Sequence, residues 1–416
     1  MATTLYWIII AIVLANFLLG VWLQVLSIRA SRNPIPPVLA GLYDDEKYAK
    51  QQSYFRLNHK VAFISSSVSA LITLAFFAFG GYGWLDGVAR GISARPVLQA
   101  LCFFGFIYVV TFLISLPFSI YETFVIEERF GFNKTTPKVF TGDTVKSFLI
   151  EALINGGLLA ICVWIYTLTP EWFWLIAFGV FAAFLLFFQY FYSELIVPLF
   201  NKQKPLEEGE LRSAIEAFAD KAGFELDNIY VMDESKRTTK ANAYFTGFGK
   251  KKRVVLFDTL IAQLATDEIV GVLAHEIGHY KRGHMVKDMA MSLLTTLATF
   301  WLFSLVIDNG AIAAAAGASE PSFWVNLAVF SMLLSPVSLI LGIVTNIISR
   351  RHERQADAFA KDHGYGPAEA SGLKKISAQA LSNLTPHPVV VFMEHSHPPL
   401  AERVEYLETR ESGEVE

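Results

Sequence analysis

Charge is what this chain lacks first. Only 17% of its 416 residues are Asp, Glu, Lys or Arg, where a soluble protein carries roughly 25%. Hydrophobic residues make up 53% of the chain, and mean hydropathy is +0.42. This composition excludes a string of soluble domains and points to a multi-span α-helical protein lodged in a lipid bilayer. Cysteine is nearly absent. Cys102 and Cys162 both fall in apolar runs, so there is neither a disulfide framework nor a cysteine metal site. A basic excess is missing as well. With a net charge of −4 the chain has no electrostatic footprint for nucleic acid. No solenoid repeat and no low-complexity tract is present, and the acidic tail over 411–416 reads as disordered.

What the chain has in abundance is long apolar runs. They lie at 5–25, 61–85, 99–125, 147–168, 172–197, 288–307 and 323–348, which makes seven predicted spans. The first has no basic stretch before it and no small-residue cleavage site, so it reads as a retained span and not a signal peptide. Basic residues alternate between loops. Residues 86–98 hold only Arg90 and Arg95, and 308–322 hold none. Residues 126–146 and 198–287 are rich in Lys and Arg, and Arg350, Arg351 and Arg354 follow the last span. The positive-inside rule then places the N-terminus outside and the C-terminus in the cytoplasm. Asn133 and Asn383 head glycosylation patterns, but on the cytoplasmic side, where they are discounted. Pro117 is expected to kink the third span. Glu122 and Glu194 read as interfacial, whereas Glu151, a turn inside the fourth span, points to a hydrated interior.

The organisation expected is five spans over 1–197, an α+β insertion over 198–287, two spans over 288–348 and a cytoplasmic segment over 349–416. In the insertion, 207–223 reads as an amphipathic helix, Asn228–Met232 as a strand, and Asn242–Phe248 with Arg253–Phe257 as a hairpin around Gly249-Lys-Lys-Lys. Asp258 reads as the N-cap of a short helix. Thr266-Asp267-Glu268 opens a longer one, whose end Gly283 loosens.

That longer helix carries Leu273-Ala274-His275-Glu276-Ile277-Gly278-His279, an H-E-x-x-H pattern. On a helix, His275 and His279 lie one turn apart on one face and can grip one metal ion. Glu276 stands where a carboxylate can take a proton from an activated water. Imidazole nitrogen and hydrolytic chemistry favour zinc. The alternative is a helix that carries two histidines by accident. A third ligand is expected further on in the chain. His284 would lie off the ligand face of a continuing helix. After the seventh span, Glu353 and Asp357 are four apart, so one can bind metal while the other accepts a hydrogen bond from a ligand imidazole; His352 is a rival ligand, and a plain juxtamembrane charge cluster is the alternative. In His395-Ser-His397-Pro-Pro-Leu-Ala-Glu-Arg403, the paired prolines fix the backbone, and a histidine there could stabilise an oxyanion; a helix-entry turn with surface histidines is the alternative.

Taken in order, these blocks resemble the integral-membrane zinc proteases that process CAAX proteins (CAAX prenyl protease type 1). The resemblance includes Ile126-Glu-Glu-Arg-Phe-Gly-Phe-Asn-Lys134, Ile196-Val-Pro-Leu-Phe-Asn-Lys202, Ala241-Asn-Ala-Tyr-Phe245, H-E-I-G-H, S-R-x-x-E-x-x-A-D and S-H-P-P. It implies one zinc per chain, held by His275, His279 and Glu353, with Glu276 as general base. It implies Asp357 behind a ligand, His397 at the transition state, and Asn242 and Ala243 on an edge strand that pairs with extended substrate. The fold implied is seven transmembrane helices enclosing a chamber, closed by a small gluzincin-type protease domain. The implied substrate is a CAAX-type, prenylated peptide. The length, and the absence of a lysine-rich C-terminal retrieval signal, pointed to a bacterial homologue in an inner membrane; a eukaryotic one would sit in the endoplasmic reticulum. The rival readings are a quality-control protease acting on unmodified membrane proteins, and a channel or scaffold that retains a structural metal.

Overall fold

The apolar runs become long helices for a simple reason: in lipid every backbone N–H and C=O must be satisfied within the segment. The structure, a computed structural model, describes residues 1–226, 228–246 and 253–409. Among the described residues, six helical stretches are long and apolar enough to cross a membrane: Ala2–Ala30, Asp45–Ala78, Pro96–Phe130, Pro137–Leu168, Pro170–Leu199 and Phe323–Asp362. Only 11–17% of the most apolar window of each is buried, so most of their side chains face lipid or an open interior. The seventh expected span, at 288–307, falls mostly on a helix over His284–Ser304 that is not among the six. Ser292, Thr295, Thr296 and Thr299 dilute its apolarity.

Helix ends depart from the ends of the apolar runs. The second helix starts far before residue 61, because the Asp44 carboxylate accepts from Lys47 N at 2.7 Å and Asp45 and Glu46 suit the dipole of its first turn. It stops at Ala78, where Gly80 takes φ +70, and a separate helix covers Gly81–Ile92. Pro117 lies inside the third helix, which loosens into a π turn over Glu122–Glu127. Glu194 forms a 2.7 Å ion pair with Arg253, tying the fifth span to the sheet.

The insertion forms a four-stranded sheet: β1 (Gln203–Pro205), β2 (Asn228–Met232), β3 (Ala243–Thr246) and β4 (Arg253–Phe257), in the order β1-β2-β4-β3. β2 and β4 are parallel, and the outer pairs are antiparallel. The strand expected at 242–248 is seen over Ala243–Thr246. The rest of that strand, the Gly249-Lys-Lys-Lys turn and the acidic tail lie outside the described residues. One sheet face, with Ile229, Val254 and Leu256, packs on the Glu210–Lys221 helix and on Ile269, Leu273 and Ile277 of the Thr266–Lys281 helix. The other face, with Met232 and Val255, packs on Val197 just after the fifth span. Asp258 does not cap its own helix. Its carboxylate accepts from the backbone N–H groups of Glu234 and Ser235, at 3.1 and 2.9 Å, and holds that turn instead.

Candidate metal centre and its surroundings

Two helices bring the chemistry together. Thr266–Lys281 packs against the 40-residue helix Phe323–Asp362, which runs from the last span straight into the charged block without a break. The close approach requires Gly278: a Cβ there would stand 2.9 Å from Phe359 Cβ and 3.1 Å from the Ala356 Cα. At this crossing His275, His279 and Glu353 each point a ligand atom into a volume in which all three lie within 4.8 Å of one another. The two Nε2 atoms are 3.1 Å apart. Glu353 reaches His279 Nε2 with Oε1 at 3.2 Å and His275 Nε2 with Oε2 at 3.4 Å. That Oε2 is buried and, among the described residues, has no hydrogen-bond partner. Two facing imidazole nitrogens and an unsatisfied buried carboxylate oxygen form a donor set that fits a zinc-type ion.

Behind His275 lies a buried charged group that sequence reasoning missed in part. Its Nδ1 is 2.8 Å from Asp357 Oδ1 and 3.1 Å from Glu369 Oε1. Arg403 joins both carboxylates, donating from Nε and Nη2 to Asp357 at 2.9 and 2.5 Å and from Nη2 to Glu369 at 3.1 Å. Asp357 thus stands against the Nδ1 of His275, and Arg403 and Glu369, which the sequence did not point to, stand with it. Burial pushes the Glu369 carboxyl up to about 7, against the pull of His275 and Arg403. Burial also works to lower the pKa of His275, with Arg403 acting the same way; Glu369, Asp357 and Glu353 outweigh both and raise it well above its usual value. Surroundings that favour positive charge on this ring also favour a cation beside it.

His279 has its own support. Gly283 takes φ +67 and ends the helix, so His284 swings back towards His279 instead of continuing away from it. The two Nδ1 atoms are 3.0 Å apart, and His284 Nε2 is 2.9 Å from Gln355 Oε1. Burial lowers the pKa of His284 to about 4, so its ring is neutral at physiological pH. One tautomer chain satisfies every atom: Gln355 accepts from His284 Nε2–H, His284 Nδ1 accepts from His279 Nδ1–H, and His279 Nε2 is left free for a metal. Replacing His284 with Ala is expected to weaken metal affinity about 10- to 100-fold while the fold is kept. Competition with a chelator measures this, and unchanged affinity would show that the contact does not hold His279. His352 stacks on His284 at 4.0 Å and its Nδ1 is 3.4 Å from Asp288, so it is not part of the three-atom cluster.

Glu276 is half-buried, next to His275 on the same helix. His397 is 62% exposed, with Nε2 3.4 Å from Glu353 Oε1. Its loop is tied to the long helix, since Arg350 donates to the carbonyls of Val391 and His395 at 2.8 and 2.5 Å and Asn346 to that of Met393 at 2.8 Å. Asn242 is exposed, and its carbonyl accepts from Phe257 N at 3.1 Å. Ala243 starts β3, the last strand in the sheet order. The chain entering β3 is braced by the 126–134 segment. Thr239 N donates to Phe132 O at 3.1 Å, and Lys240 Nζ reaches Glu127 at 2.8 Å and the Tyr54 hydroxyl at 3.0 Å.

Residues 24–202 match the family described as CAAX prenyl protease N-terminal, five membrane helices, and residues 205–411 match peptidase family M48. CAAX prenyl protease 1 of Saccharomyces cerevisiae is 35% identical over 91% of this chain and 90% of its own length. The rice homologue is 33% identical over 97% of each, and the human homologue 31% identical over 96% and 95%. A crystal structure of S. mikatae Ste24p superposes with a TM-score of 0.91 at 34% identity, covering 97% of this chain and 99% of that one. Matched along almost its whole length in sequence and in fold, this multi-pass membrane protein belongs to the CAAX prenyl protease 1 family of M48 metallopeptidases.

Proposed function

We propose that this chain is a membrane-embedded zinc endopeptidase that cuts CAAX-type, prenylated peptides near their C-terminus. The observation that carries the reading is the convergence of His275, His279 and Glu353 beside Glu276, in a chain whose relatives are named for CAAX processing. One zinc ion, held by those three side chains, would supply Lewis acidity and make a bound water easier to deprotonate. Glu276 takes the proton from the attacking water and returns it to the leaving amine. His397 donates a hydrogen bond to the oxygen that gains charge in the tetrahedral intermediate. Asp357 accepts from His275 Nδ1–H and keeps that ring in the tautomer that leaves Nε2 free. Substrate lies extended along β3 from Asn242 and Ala243, adding a strand to the edge of the sheet.

The same reading gives the protein seven spans around a chamber, closed by a gluzincin-type domain. Supporting this, the His284–Ser304 helix lies along the fifth span, with Phe300 and Phe303 ring-packed on Phe181 and Phe173. Its Ser292, Thr295 and Thr299 face a cavity of about 490 Å³ that also includes Asn155. A neighbouring cavity of about 510 Å³ holds Asn155 and Glu151, with the Tyr108 hydroxyl 3.4 Å from the Glu151 carboxylate. The four-part division into 1–197, 198–287, 288–348 and 349–416 follows, with the N-terminus outside and the zinc domain cytoplasmic. Length gives no ground for a bacterial membrane, because the rice relative is covered over 97% of its own length. The test is mass spectrometry of products from a CAAX peptide with and without its prenyl group. Cleavage dependent on the prenyl group supports the assignment. Equal cleavage of both forms would move the protein to quality control of unmodified membrane proteins, and no cleavage would leave a structural metal.

A further inference from the structure

Beside β3 lies a cavity that hydrolysis does not use. It measures about 560 Å³, within the roughly 300–1,000 Å³ usual for small-molecule sites. Leu185, Phe188 and Tyr192 from the fifth span form one wall; Met232, Tyr244 and Phe257 from β2, β3 and β4 form the other. Among the described residues no charged side chain lines it. The Tyr244 hydroxyl is engaged by Gln203 Nε2 at 3.1 Å and lies 3.4 Å from Ser193 Oγ, so its polar end already has partners.

The sheet register says what reaches this cavity. Tyr244 pairs with Val255, whose side packs with Met232 and Val197. Ala243 pairs with Leu256, whose side packs on the Thr266–Lys281 helix that carries His275. A peptide strand added to the free edge of β3 continues this pleat, so alternate substrate side chains fall on the motif-helix face and on the cavity face. We propose that this cavity is the isoprenyl subsite: a thioether-linked prenyl chain on a substrate cysteine whose side chain falls on the cavity face lies between the fifth span and the sheet. The fifth span supplies one wall, apolar except for Gln189, so the chain passes from bilayer to cavity along that span.

The proposal rests on the prenyl-peptidase reading, and the experiment keeps the two apart. Steady-state kinetics are run on full-length protein in lipid nanodiscs, with peptides carrying geranyl, farnesyl or geranylgeranyl thioethers, before and after Leu185→Trp. Filling the cavity is expected to raise KM for the farnesyl peptide about tenfold, the weight of roughly two buried methylenes. The rise should be smaller for geranyl and larger for geranylgeranyl, with kcat unchanged. An equal rise for all three chains, or no rise, overturns the subsite while cleavage by the unsubstituted protein leaves the peptidase reading standing. Absence of any cleavage by the unsubstituted protein sinks that reading and the subsite with it. A second measurement needs no cavity variant. A farnesylated peptide with a benzophenone at the end of its isoprenyl chain is photolysed with the Glu276→Gln protein. Crosslinks at Phe188, Tyr192 or Tyr244 support the subsite; crosslinks confined to lipid or to other spans overturn it.

Discussion

Glu276→Gln is expected to lower peptide hydrolysis by about 10²- to 10⁴-fold, the usual weight of a positioned general base, and zinc should stay bound. The two halves of this result have separate causes. Glutamine keeps the shape of the side chain and suits a helix, so His275 and His279 stay one turn apart and keep their partners. What it loses is a group able to accept a proton at working pH. The Glu276 side chain is suited to that role because, among the described residues, none hydrogen-bonds or ion-pairs with it, whereas Glu353 is drawn towards both histidines. Elemental analysis of the purified variant alongside turnover of a prenylated peptide checks both halves. Full activity with zinc present would remove Glu276 from the proton path. Loss of zinc would mean that it supports the ligand geometry instead.

The parts of the site legible in the sequence were those set by helical spacing. His275 and His279 share a face because they are four apart, and Glu353 and Asp357 do so for the same reason. Spacing could not say which of the two acids faces the two histidines; the crossing of the two helices through Gly278 puts Glu353 there. Spacing also misled at His284. A continuing helix would have carried it away, but the left-handed turn at Gly283 brings it back onto His279. Arg403 and Glu369 left no local signal, since an arginine and a glutamate on short terminal helices usually face water. Only the packing of Gly366–Gln379 and Leu400–Glu408 against the motif helices buries them. Apolar runs marked where lipid begins, not where a helix does, so Asp45–Ala78 extends far into a stretch read as polar loop. β1 was missed because Gln203–Pro205 is short and polar and pairs on one side only.

Glu353→Ala is expected to strip the metal, with affinity falling by at least about 100-fold, beyond the usual loss for a residue that only supports a ligand. Activity should then vanish with the zinc. Among the described residues the carboxylate is the one that touches both histidine Nε2 atoms, at 3.4 and 3.2 Å, and it also stands 3.4 Å from His397 and 3.5 Å from Arg403. Without it, the two imidazoles, with Nε2 atoms 3.1 Å apart, lose the carboxylate that faces both of them. The fold should survive. Arg403 keeps Asp357 and Glu369, and alanine is the best helix former for the middle of the long helix. A folded, zinc-free protein therefore separates a lost ligand from a lost structure. Unchanged zinc content would move the third ligand to another side chain, and His352 is the first to test, one residue away on the same helix. For His352 to serve, its ring would have to leave its stack on His284 and turn away from Asp288. The double variant with His352→Ala then decides, because a site held by His275 and His279 alone has too few donors to keep zinc through purification.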